Sequence, residues 1–228
     1  MTVTYGFLTR AAAVAAAVAG LIFIGVQIGH PYLDATSITT TDVMIRNTLK
    51  MFMAALALAG ITGVYLSQVT RIGVLGLIGY VLFAAGYLTM FGTEFVAALV
   101  LPSIAHTSTA WVGDVIAVAN NRPATGDIGP MNGPIMFMAL GYVGGGVLFA
   151  IALFRANVLA RWASALLAVG TLSAVLAGVV PQYERLLAIP TGLALVGLGY
   201  SLWRVQRSSD PVSAVSPAGS KLEPAGAN

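Results

Sequence analysis

GYVLFAAGYLTMFGTEFVAALVL, residues 79–101, is almost wholly apolar yet carries one carboxylate, Glu94. Tyr80, Phe83, Tyr87, Phe91 and Glu94 follow one another at steps of three, four, four and three residues. At about 100° per residue those side chains stay within one narrow stripe of a helix. The stretch reads as a membrane helix with an aromatic face leading up to a single acid.

The composition agrees with that reading. Of 228 residues, 58% are hydrophobic and only 8% are charged, which places the chain among polytopic membrane proteins. It has no cysteine, so disulfides, thiolate metal sites and a cysteine nucleophile are excluded. The net charge of +3 is small and the basic residues are scattered, which gives nucleic-acid binding no support.

Working outward, residues 11–29 form an apolar run of about the ~20 residues needed to cross a bilayer. This is longer than a secretory signal core and ends at His30-Pro31. Thr39-Thr40-Thr41-Asp42 offers N-caps for a helix leading into a second span, residues 49–69. Asp42, Arg46 and Lys50 form a charged strip at its mouth. The third span, residues 72–101, exceeds a ~30 Å hydrocarbon core, so it either tilts and projects or breaks near Gly92.

Residues 102–133 are the longest polar connection, with a short amphipathic helix expected over 110–119 and a loop over 121–133. Three further spans follow, over 134–154, 158–180 and 186–203. The expected organisation is an all-α, six-span domain over residues 1–204 and a disordered cytoplasmic tail over 205–228.

Arg10, Arg71, Arg155, Arg161, Arg204, Arg207 and Lys221 fall on one side, against Arg46, Lys50, Arg122 and Arg185 on the other. This bias puts both termini in the cytoplasm. The glycines at 73, 76 and 79 and at 141 and 144–146 suit close helix packing, within the bundle or between copies of the chain. The hexamers GYVLFA (79–84) and GGVLFA (145–150) resemble each other, as an inverted three-plus-three repeat would require.

In that orientation Asp34, Asp42, Glu94, Asp114, Asp127 and Glu184 lie outside, with His30 and His106. The outer mouth of the bundle is therefore the expected site. Glu94 is the candidate proton donor, and Asp34, Asp42 or Asp114 the candidate second acid. Tyr80, Phe83, Tyr87 and Phe91 would line a substrate cleft, where ring faces stabilise cations. Arg46, His30 and His106 complete the candidate binding set. The structural alternative pairs Glu94 with Arg46 or Lys50 and treats the aromatic stripe as helix packing. Two histidines with no close ligand spacing do not make a metal or haem site, and no cofactor is expected.

The stretches HPYLDATSITTTDVMIRNTLKMFMAAL (30–56) and FGTEFVAALVLPSIAH (91–106) resemble a group of small six-span membrane proteins of high-GC bacteria. That resemblance implies a bacterial inner-membrane location. In size, hydropathy and scattered acids the chain also resembles the bacterial membrane-bound meroterpenoid cyclases. This second resemblance implies acid-initiated cyclisation of a prenylated, lipid-like substrate, and it carries no motif residue onto this sequence. A small transporter using Glu94 and Arg46 as a gated pair, and a non-catalytic envelope protein, are the alternative readings.

Overall fold

The computed structural model describes residues 4–176, 180 and 183–208. These residues are helical with short connections: α1 Tyr5–Gly25, α2 Thr41–Leu66, α3 Val69–Ile104, α4 Thr109–Ala119, α5 Gly129–Ala156, α6 Arg161–Leu176 and α7 Arg185–Ser208. Among the described residues, α1, α2, α3, α5 and α7 are long and apolar enough to cross a membrane. The span expected over 158–180 is represented by α6. At 16 residues it is ~24 Å long, below the ~30 Å of a hydrocarbon core. Residues 177–179 of that expected span lie outside the described residues, as do residues 181–182 and the expected tail from residue 209. Residues 205–208, assigned to that tail from sequence, continue α7.

Local sequence sets the ends of these helices. Thr4 and Thr40 cap α1 and α2, their side-chain oxygens accepting from the amides of Phe7 and Val43. Asn157 closes α5 in the left-handed conformation that Asn tolerates better than most residues. α3 does not break at Gly92. Its break lies near the start instead, at Gly73 (φ 63°, ψ −168°), and beyond it the helix continues through Gly92 into a π-helical turn at Val96–Val100.

Helices α1, α2, α3, α5, α6 and α7 form a closed ring in chain order, each packed on the next and α7 returning to α1. Neighbours are antiparallel. A side chain at Gly60 of α2 would meet Ala16 of α1, and one at Gly63 would meet Ala12. Gly20 of α1 sits against Gly192 of α7 and Gly6 against Gln206, so the start of α1 and the end of α7 share one end of the bundle. α6 runs antiparallel beside α7, with Ala163 against Gly197 in the middle of α7 and Gly170 against Thr191 near its start.

The two similar hexamers meet face to face. Gly79 packs on the backbone at Leu148 and Phe149, and Gly145 packs reciprocally on Leu82 and Phe83. An inverted three-plus-three repeat is not what produces this likeness. In a ring followed in chain order, an in-plane two-fold axis reverses the order of helices and cannot map the first three onto the last three in sequence. The likeness instead reflects one requirement met twice: antiparallel helices this close need a glycine on each, facing a bulky residue of the other. Gly79, Gly86, Gly141 and Gly145 are all taken up at this α3–α5 contact, and Gly146 faces Thr171 of α6.

The main core is built on Phe83, Tyr87, Tyr142 and Phe149. A second, smaller core lies under α4, where Ile38, Val43, Leu101, Val112, Val115 and Ile116 converge. It belongs to a cap formed by the α1–α2 loop, α4 and the loop that follows α4.

Candidate functional site

Arginines from three separate segments hold the α1–α2 loop over the end of the bundle opposite the chain termini of α1 and α7. Arg46 of α2 donates through Nη1 to the carbonyls of Val26 (3.0 Å) and Ile28 (2.8 Å), and through Nε to Asp42 (2.9 Å). It thereby satisfies carbonyls just past the end of α1 that no helical amide reaches. Arg185 Nη2 donates to the Pro31 carbonyl at 2.9 Å. Arg122 Nη2 donates to the Leu33 carbonyl at 3.2 Å, and its guanidinium lies over the Tyr32 ring.

His30 is buried, with Nδ1 2.9 Å from the same Pro31 carbonyl. A carbonyl can only accept, so Nδ1 carries the proton and Nε2 is left as an acceptor. Burial, followed by the charge of Lys50, holds the imidazole down at about 4, with smaller contributions from Arg185 and Arg46. It is neutral at neutral pH.

Asp34 and Asp114 fasten backbone. Asp34 accepts from the amides of Ser37 (2.7 Å) and Thr36 (2.9 Å), and the Ser37 bond does most to keep its carboxyl below the usual range. Asp114 accepts from the amide (2.8 Å) and hydroxyl (3.0 Å) of Thr125 and from the Gly126 amide (3.0 Å). The Thr125 amide leads in lowering its pKa. Asp42 is paired with Arg46. None of these three lines the cavities described below, so the structure does not bring Asp34, Asp42 or Asp114 to Glu94.

Glu94 is placed differently. It lines a cavity of about 180 Å³ beneath the cap, with Asn47, Lys50, Thr93 and Asn120, and a second of about 160 Å³ with Phe23, Gln27, Lys50, Met53 and Met90. Phe23 and Met90 also line a larger apolar cavity of about 420 Å³ that reaches Tyr142, Gly170 and Leu187. Gln27 and Lys50 also line a polar cavity of about 170 Å³, shared with His30, Asn120 and Arg185. Lys50 therefore lies at the junction of three of the four cavities, and it is the charge set against Glu94. Just beyond Glu94, the π-helical turn presents the Ala97 carbonyl to Asn47 Nδ2, at a long 3.4 Å.

The aromatic stripe is mostly packing. Phe83 and Tyr87 are fully buried, with ring centroids 4.8 Å apart, and neither lines any of the four cavities. Tyr80 stacks on Tyr65 at 4.3 Å and shares a 3.0 Å hydrogen bond with Thr62. Phe91 is half-buried against the main core. The rings that do line the large cavity are Phe23 and Tyr142, and Tyr142 Oη donates to Thr191 at 2.9 Å. His106 is exposed on the cap and lines none of the cavities.

Sequence reasoning passed over Gln27, Asn47, Asn120 and Arg185. Gln27 carried a signal, as a polar side chain interrupting the apolar run three residues before His30. Comparison with known proteins finds no matching family model, no matching curated protein and no matching solved structure.

Proposed function

We propose that this chain is a six-span protein of the bacterial inner membrane, with both termini cytoplasmic, that holds a lipid-like small molecule inside the outer half of its bundle. The observation that carries the binding reading is the shared lining of the cavities. Lys50 and Glu94 line a cavity that shares two of its walls, Phe23 and Met90, with a mostly apolar cavity of about 420 Å³. Sites for small molecules are typically apolar with a few convergent polar groups. A polar pair at one end of an apolar chamber suits an amphiphile.

The topology is supported by the shared end of α1 and α7 and by the course of α6 between the two ends. The helix ends and turns carrying Arg10, Arg71, Arg155, Arg161, Arg204 and Arg207 then fall together on the cytoplasmic side. Acid-initiated rearrangement of a prenyl chain is a chemistry this site would serve, with Glu94 as proton donor. The rings within reach of a cationic intermediate would then be Phe23 and Tyr142, rather than Phe83 and Tyr87.

The test is mass spectrometry of organic extracts from purified wild-type, Met90→Trp and Glu94→Gln protein. A retained amphiphile, lost when Trp fills the passage at Met90, supports the reading. Accumulation of a precursor isomer on the Glu94→Gln protein assigns the acid. A folded wild-type protein that retains nothing overturns it.

A further inference from the structure

The apolar cavity of about 420 Å³ and the Glu94 cavity of about 180 Å³ have three wall residues in common: Ala119 at the end of α4, and Ile135 and Met138 of α5. Ala119 and Ile135 are short or β-branched, so their side chains have little freedom. Met138 differs from both. It is unbranched, with three rotatable bonds, and half-buried, with free space on either side of it. The antiparallel α3–α5 contact that sets Gly86 on Tyr142 carries Thr93 to Met138 further along the two helices. Thr93 Oγ1 donates to Met138 Sδ at 3.3 Å, and it also lies 3.0 Å from the Met90 carbonyl. A hydroxyl has one proton to give, and a thioether is the weaker acceptor. The Met90 carbonyl therefore competes for the bond that holds Met138, and releasing Met138 leaves Thr93 satisfied.

Resting on the amphiphile reading above, we infer that Met138 is a movable partition, latched by Thr93, that decides which occupants of the apolar cavity reach Glu94. Latched, the side chain stands between the two spaces, and an occupant of the larger one does not meet the carboxyl. Released, it turns into either cavity and joins them, and the polar end of an amphiphile enters beside Glu94 while its chain stays among apolar walls. Residue 138 then sets specificity through its bulk, and Thr93 acts through it as a positioning residue. The placement of the latch fits this role. Thr93 directly precedes Glu94 and lines the same cavity, so the group that holds the partition sits on the side the amphiphile is entering. A polar head group arriving there competes for the Thr93 hydroxyl and thereby favours the released state.

The experiment is photolabelling of the full chain in nanodiscs with hexadecanol that carries a diazirine on its third carbon, beside the head group. Peptide mass spectrometry locates the adducts, and excess plain hexadecanol shows which of them are saturable. Saturable label is expected on the walls of the apolar cavity and, in smaller share, at Glu94. Met138→Ala is expected to raise the Glu94 share several-fold. Met138→Trp should abolish it while label in the apolar cavity persists, which also shows that the variant is folded. Thr93→Val removes the latch and leaves Met138 in place. It is expected to raise the Glu94 share by about two- to five-fold, the effect of one net hydrogen bond on a two-state population. Thr93→Ser keeps the hydroxyl and should match the wild type. An unchanged distribution across these variants overturns the partition and leaves the lipid cavity standing. A rise with Met90→Ala but not with Met138→Ala places the opening in the wall formed by Phe23 and Met90, and overturns it too. No saturable label in any variant overturns both this inference and the reading beneath it.

Discussion

Lys50 of α2 and Glu94 of α3 line the same two cavities, and Lys50 is the opposite charge that acts on Glu94. Arg46, one turn before Lys50, faces elsewhere, to Asp42 and the end of α1. The two cations therefore divide the work. One fixes the loop, and the other serves the interior. Removing either member of the interior pair leaves the other charge in a poorly solvated place, whereas removing both does not. Glu94→Gln and Lys50→Met are each expected to lower the melting temperature, and the double variant to recover part of the loss. A coupling of about 1–2 kcal/mol is expected from a double-mutant cycle followed by thermal unfolding in detergent. Strict additivity would show that the two groups do not act on each other.

Arg46→Ala is expected to destabilise the α1–α2 loop by about 2–3 kcal/mol, because it strips the Val26 and Ile28 carbonyls of a charged donor and leaves Asp42 alone. Arg46→Lys should restore little, since one ammonium cannot reproduce a fork reaching three acceptors. Limited proteolysis within residues 30–40 reads this directly: faster cleavage in both variants is expected, and unchanged cleavage would remove the clamp from the account.

At the α3–α5 contact, Gly79→Ala and Gly145→Ala each place a methyl group against the backbone of the partner helix. Overpacking of this kind costs typically 1–3 kcal/mol. Gly144 is the internal control, because a Cβ there meets nothing within 4 Å. Gly144→Ala should be neutral or slightly stabilising, as Ala is the better helix former by about 1 kcal/mol. Thermal melts of the three variants separate the helix-packing role from a loss of backbone flexibility common to all of them.

His30 makes stability pH-dependent in a definite direction. Its ordinary value is 6.5 and its folded value is about 4, so the folded state disfavours the charged form. The stabilisation is complete above about 6.5 and is lost as the pH falls towards 4, amounting to at most about 3 kcal/mol. His30→Asn should flatten that part of the pH–stability curve. An NMR titration of the His30 ring should show its pKa depressed from 6.5 to about 4.

Much of the architecture was legible because membrane spans announce themselves by length and hydropathy. The cap at Thr40 and the short helix before Asn120 were readable from local chemistry. The roles of the acids were not. Asp34, Asp114 and Glu94 are alike as letters, and what separates them is whether backbone amides converge on the carboxylate. Three-dimensional loop paths decide that, as when Thr125 and Gly126 return to Asp114 across eleven and twelve residues. The aromatic stripe failed as a cleft for a related reason. Period 3.6 puts Phe83 and Tyr87 on one face but does not say what that face meets, and here it meets the glycine-lined surface of α5.

The sixth crossing proposed for α6 can be tested by labelling, and the absence of cysteine makes the test clean. The ring requires Asn157, between α5 and α6, to lie at the same end as Thr4 and Ser208, with Thr125 at the opposite end. Single cysteines at positions 4, 157 and 208 should therefore resist a membrane-impermeant maleimide in intact cells and react after lysis, while Thr125→Cys should react in both. If α6 failed to cross, α7 would begin on the cytoplasmic side, and labelling at 208 would move to the intact-cell fraction. That outcome would also contradict the packing of Gly6 beside Gln206, since two helices that start and finish at the same end of a bundle cannot be separated by an odd number of crossings.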